Sequence, residues 1–234
     1  LGAVLQDQGK ADEGILEYRQ ALQINPKIEE AHFNLAKILL DRKRFDEARP
    51  HFEQALALKP DSAETLNNVG MLLAREGKPE EARASYQRSL ALNPNSFEAL
   101  NNLGNMALNQ GDYAEAWERL AESLALYREL GHKRGMSFAL VNLGETALEQ
   151  GNYPEARARL AESLTLRWEL WDMRGIAACL EGLAGVAGAE GQAERAAVLC
   201  GAAEQLREAI GAPKPATERA RYLRGRDLAR AALG

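Results

Sequence analysis

Residues 63–96 read AETLNNVGMLLAREGKPEEARASYQRSLALNPNS, and this stretch decides the fold. Val69, Gly70 and Leu73 fall on one face of a first short helix, and Ala82, Tyr86 and Ser89 on one face of a second. Gly77 marks a tight turn between them, and Pro94 ends the second helix because it lacks a donor and clashes with the preceding turn. The same pair recurs along the chain, so the sequence predicts a repeat architecture whose units contact mainly their neighbours.

Working outward, alignment on this unit gives six repeats. Leu1 and Gly2 occupy the seventh and eighth places of the first, which runs 1–28 with Gly9 in its turn and Pro26 at its end. The chain opens in mid-repeat without Met, so a fragment of a longer protein is expected. Repeats two and three span 29–62 and 63–96, a period of 34. The period then lengthens: Leu103-Gly104, Leu143-Gly144 and Leu183-Ala184 are 40 apart, giving repeats at 97–136, 137–176 and 177–216. No counterpart of Pro26, Pro60 and Pro94 closes these later units. Second helices such as 114–130 are expected to run about a turn and a half longer. A last helix over 217–234, with Arg219, Arg226 and Arg230 on one face, reads as a cap on the open end of the array.

Composition narrows the function classes. Aromatics make up 6% of the 234 residues, while Ala, Leu and Glu are abundant, which suits helices packed closely on small side chains. No run of about 18 apolar residues occurs, so no membrane span is expected. Two cysteines, Cys179 and Cys200, make no disulfide framework, and a cytoplasmic address is the default. Residues 1–96 carry 13 basic and 15 acidic side chains, 97–216 carry 11 and 17, and 217–234 carry 5 and 2. An acidic array with a basic end argues against nucleic acid along its length.

The pattern resembles the tetratricopeptide repeat (TPR): a 34-residue period, Leu103-Gly104, then Ala48-x3-Phe52 or Ala82-x3-Tyr86, then Pro60. It departs at Leu39 and Leu73, where the pattern has Tyr, and at Ala107, Ala147 and Ala187. The resemblance implies an all-α, right-handed α-solenoid of helix–turn–helix repeats with a C-terminal capping helix. Repeats four to six, with the ending AAEQLREAIGAPKPATERARYLRG, also resemble the C-terminal repeats of bacterial signal-transduction ATPases and of LuxR-type, MalT-like regulators. In that family the repeats serve as a sensor or docking arm.

Small residues mark the helix crossings. Gly70, Gly104 and Gly144, with Ala36 and Ala184, should face Ala48, Ala82, Ala116, Ala156 and Ala196, because helix backbones approach closely only over small side chains. Polar residues facing elsewhere carry the functional signal. The sixth place of the first helix reads Asn34, Asn68, Asn102 and Asn142; the fifth adds Asn67 and Asn101, and the ninth adds Asn105 and Glu145. Asn is a mediocre helix former, so its recurrence at one place needs a reason. The resemblance puts this place on the concave surface, where the amides could hold a peptide backbone. They could equally brace adjacent first helices. Around them Glu30, Lys37, Asp41, Glu64, Arg75, Glu98, Glu145, Glu149 and Glu181 give seven acids and two bases, which favours a neutral or basic protein or peptide.

Gly182, Gly185 and Gly188 suggest close approach of another backbone, the capping helix or a partner. Trp168 and Trp171 read either as cover for long helix ends or as a secondary interface; Trp171 stands where neighbouring repeats have Gly131 and Gly211. His32, His51 and His132 are read as lying in separate units without ligand spacing, and no phosphate-binding glycine motif occurs. No enzyme activity, catalytic residue, cofactor or metal ligand is expected. The expected function is a protein–protein interaction scaffold, or alternatively the sensor or autoinhibitory arm of a bacterial signal-transduction ATPase or transcriptional regulator, with upstream domains of the same polypeptide as partners.

Overall fold

The computed structural model describes residues 11–212. They form eleven α-helices and no strand: α1 (Ala11–Ile24), α2 (Glu29–Asp41), α3 (Phe45–Leu58), α4 (Ala63–Arg75), α5 (Pro79–Leu92), α6 (Phe97–Gln110), α7 (Tyr113–Glu129), α8 (Lys133–Glu149), α9 (Tyr153–Glu169), α10 (Met173–Ala189) and α11 (Ala193–Ala209). The proposed capping helix, Gly9 and the first residues lie outside the described residues. The described residues divide into two compact units, with the boundary inside α6 between Asn102 and Leu103.

In the first unit each helix packs on the next, and α2 also touches α4, so successive first helices lie side by side. The expected crossings are present. Ala48 and Ala82 are fully buried. A Cβ at Gly70 would lie 2.5 Å from the Tyr86 ring, so only glycine admits that approach. Ser89 in α5 donates its hydroxyl to the carbonyl of Ala63 at the start of α4 (2.7 Å), tying the two ends of the hairpin. The second helices stop at proline turns: Asn93 O accepts from Ser96 N (3.0 Å) across Pro94, and Asn93 Oδ1 accepts from Asn95 N (3.2 Å).

The second unit repeats the crossing with other side chains. Ala116, Ala156 and Ala196 are fully buried. Gly104 and Gly144 would place a Cβ 2.6 and 2.8 Å from Leu120 and Leu160. Ser163 Oγ donates to Ser137 O (2.8 Å), the same tie as Ser89 makes. As in the first unit, each helix packs on the next and successive first helices, α8 and α10, touch.

The longer period is distributed differently from the expectation. Second helices grow from 14 residues (α5) to 17 (α7, α9), just under one turn. First helices grow more, from 13 (α4) to 17 (α8, α10), while the linker shrinks from four residues to three. Three gained, four gained and one lost account for the six extra residues. The cause is the stop signal. Without proline, α7 ends in a Schellman turn in which Gly131 N bonds Arg128 O (3.1 Å) and His132 N bonds Tyr127 O (2.9 Å). Gly131 takes the left-handed conformation that this turn requires (φ 63°). The next helix restarts at once, because His132 Nδ1 accepts from Gly135 N (3.1 Å).

Gly182 and Gly185 make room for leucines of neighbouring helices. A Cβ there would lie 2.9 Å from Leu160 of α9 and 3.3 Å from Leu148 of α8.

Candidate peptide-binding face

Asn34, on α2, is half-buried and lines an open cleft of about 430 Å3 in the first unit, together with Glu29, Glu30, Phe33, Lys37, Lys59, Ser62 and Glu64. These residues come from α2, from the linker after α3 and from the first turn of α4. Lys37 bonds Glu64 (3.3 Å), and its ammonium stands 5.6 Å from the centre of the Phe33 ring. Phe33 packs edge-on against Phe52 (6.3 Å), which fixes its ring in the cleft wall. Phe33, Glu29, Lys59 and Ser62 were not singled out from sequence. The signal was there for Phe33: it holds the fifth place of its repeat, where the next two repeats carry Asn67 and Asn101.

The other asparagines take different roles. Asn67 and Asn68, on α4, are only 5% and 7% exposed. Asn68 Nδ2 donates back to Glu64 O (2.9 Å), and Asn67 Oδ1 accepts from Asn102 Nδ2 of α6 (3.0 Å). The last bond is an amide brace between first helices of consecutive repeats. Asn101 is half-buried, and its Oδ1 is buried without a hydrogen-bond partner among the described residues. In the second unit Asn105 is exposed, whereas Asn142 and Glu145 are half-buried; Asn142 O accepts from Thr146 Oγ1 (2.8 Å). Glu181, read as a groove acid, is bound twice by Arg207 of α11 (2.8 and 3.1 Å), with both side chains only 11% exposed. A salt bridge within its own repeat has taken that carboxylate.

The reading of three histidines in separate units needs correction. His32 and His51 sit on the two helices of one repeat, and the hairpin brings their Nδ1 atoms to 2.9 Å. His32 Nε2 donates to Pro26 O (3.0 Å), since a carbonyl can only accept; in the neutral imidazole this leaves His32 Nδ1 to accept from His51 Nδ1. Burial lowers the His51 pKa, and so does positive charge nearby, on His32 when that ring is protonated and on Arg19. In the second unit burial pushes the Cys179 thiol up, which keeps it protonated and inert. Among the described residues no group of three or more His, Cys, Asp and Glu side chains could hold a metal ion, and no helix is long and apolar enough to cross a membrane.

Trp168 and Trp171 are 63% and 76% exposed, with ring centroids 6.5 Å apart and planes 24° from parallel. They lie at and just beyond the end of α9.

Comparisons with known proteins agree with this architecture. The family profile described as tetratricopeptide repeat matches residues 27–95 and 95–167, and a second, described as TPR repeat, matches 2–41. No curated protein matches. Among solved structures, the chain is similar to PilW, a widely conserved type IV pilus biogenesis factor, at 26% identity and TM-score 0.72, over 91% of this chain and 92% of that one. It is similar to the Cut9–Hcn1 hetero-tetramer of the APC/C at 19% identity and TM-score 0.82, over all of this chain and 42% of that one. It is similar to YrrB, described as a TPR protein with an unusual peptide-binding site, at 22% identity and TM-score 0.52, over 71% and 82%.

Proposed function

The chain belongs to the tetratricopeptide repeat family, and from that premise we propose that it holds an extended, neutral or basic protein segment in the cleft beside Asn34. Family and fold support a protein-interaction scaffold in general. The observation that carries the finer reading is the cleft itself. It combines an aromatic wall, Phe33, with an amide, Asn34, that offers two donors and an acceptor to a peptide backbone. Glu29, Glu30 and Glu64 outnumber Lys37 and Lys59 around it, and Lys37 is already paired with Glu64. An acidic segment would be repelled and a basic one attracted. YrrB, with its peptide-binding site, is a precedent within the fold.

In this reading Asn67 and Asn102 brace two first helices and Asn68 is held by Glu64 O of its own helix, while Asn101 in the first unit, and Asn105, Asn142 and Glu145 in the second unit taken by itself, are further proposed peptide contacts. A basic, a neutral and an acidic peptide, each fluorescein-labelled, are titrated with the parent and with Asn34→Ala. The basic peptide should bind best, and more weakly at high salt. Asn34→Ala should weaken it by about 0.5–1.5 kcal/mol, one hydrogen bond, at unchanged melting temperature. Parental affinity in a folded Asn34→Ala would end the cleft reading.

A second reading rests on the sequence resemblance of repeats four to six to the C-terminal repeats of bacterial signal-transduction ATPases and LuxR-type regulators. In it the cytoplasmic partner is an upstream domain of the same polypeptide.

A further inference from the structure

Trp171 sits in a backbone conformation that its side chain disfavours. Its φ is 53°, the left-handed region, where a bulky residue is an outlier. Trp171 N bonds Trp168 O (3.1 Å) and Asp172 N bonds Arg167 O (2.9 Å), the Schellman turn already seen at Gly131. Among the described residues seven other positions have this positive φ; six are glycine and one is Lys43. Burial does not offset the strain, since both indoles face solvent.

The turn is nevertheless held firmly from beneath. Arg167, 4% exposed, bonds Asp172 Oδ2 (2.7 Å) and Ser163 Oγ (3.3 Å) and lies over the Phe138 ring (4.7 Å). Asp172 Oδ1 accepts from Gly175 N (3.0 Å), and glycine at 175 leaves the space that the Arg167 guanidinium fills. An exposed aromatic pair, with Trp171 held in a strained turn on a rigid base, is a preorganised anchor. Two chemical facts choose its occupant. Indole faces attract cations, Trp most of all. Residues 97–216 carry 17 acidic and 11 basic side chains, which attracts basic protein and repels an anionic lipid surface.

We propose that Trp168 and Trp171 form a docking anchor for a cationic segment of a partner protein, with an arginine or lysine side chain against the indole faces. The surface is independent of the Asn34 cleft, which belongs to the other unit.

The test uses the full chain and a labelled dodecapeptide of alternating arginine and alanine, with its glutamate counterpart as control. The arginine peptide should bind and change the tryptophan emission; the glutamate peptide should do neither. Trp168→Ala combined with Trp171→Gly should weaken binding about tenfold or more. Trp171→Gly alone should lose affinity while melting at or above the parent, because glycine removes the strain. Trp171→Asn, which tolerates the same backbone, repeats the comparison should the glycine variant fold poorly. Asn34→Ala should leave the tryptophan-dependent share of binding intact, so the two sites fail separately. Equal binding by the double variant would overturn the proposal. So would a Trp171→Gly or Trp171→Asn chain that melts several degrees lower, tryptophan-dependent flotation with anionic vesicles, or a dimer that the double variant abolishes.

Discussion

Repeats two and three and repeats five and six solve one packing problem with two kinds of punctuation. In repeats three and five, helices cross over a buried alanine and a glycine that admits no Cβ, and a buried serine ties the second helix to the start of the first; repeats two and six carry the buried Ala36 and Ala184 in place of that glycine. The earlier repeats end on proline, which fixes a β-turn and a linker of four residues. The later ones end on a left-handed residue, which lets the next helix begin at once and gain a full turn. The crossing is thus the invariant, and the stop signal sets the length of the repeat. It also sets what is displayed: a left-handed position is a place where an exposed side chain such as Trp171 can be held rigidly, whereas a proline turn offers none.

The largest expected effect tests what the two kinds of repeat share. Ala82→Leu in an early repeat and Ala116→Leu in a later one should each destabilise by about 1–3 kcal/mol, through overpacking at the crossing. Chemical denaturation would show it as a lower midpoint at unchanged slope. A large loss in one variant and none in the other would mean that the crossings differ after all.

A smaller effect tests where the repeats differ. Gly131→Ala puts a Cβ into open space, so its cost is conformational, about 1 kcal/mol for a left-handed alanine. Pro94→Ala keeps an allowed backbone and loses only chain stiffness, about 0.5 kcal/mol. Melting curves should rank the glycine change as the more harmful. The reverse order would show that proline, rather than the small-residue crossing, fixes the early repeats.

Much of this comparison was legible in the sequence, because backbone punctuation is local. The repeat register, the small-residue crossings and the coincidence of Trp171 with Gly131 follow from period and residue type alone. The partition of the six extra residues was not legible. It depends on the restart of the following helix at His132 or Asp172, and those caps look like any polar residue in a linker. Long polar side chains were the least legible. The period puts Asn102 on the inner face, but only distance shows that its amide meets Asn67 rather than solvent. Glu181 shares that face and is drawn away by Arg207. His32 and His51 are 19 positions apart, and only the hairpin brings them together.

The central functional claim is that the early repeats carry a peptide cleft walled by Phe33 and Asn34. Side-chain amide NMR tests it most directly, because each asparagine gives its own NH2 signal. Titration with a basic peptide should shift the Asn34 signals strongly and saturably, while the buried Asn68 signals, held by Glu64 O, move little. Binding that leaves Asn34 unmoved, or that shifts only the indole signals of Trp168 and Trp171, would contradict the account and leave the tryptophan turn as the interaction surface.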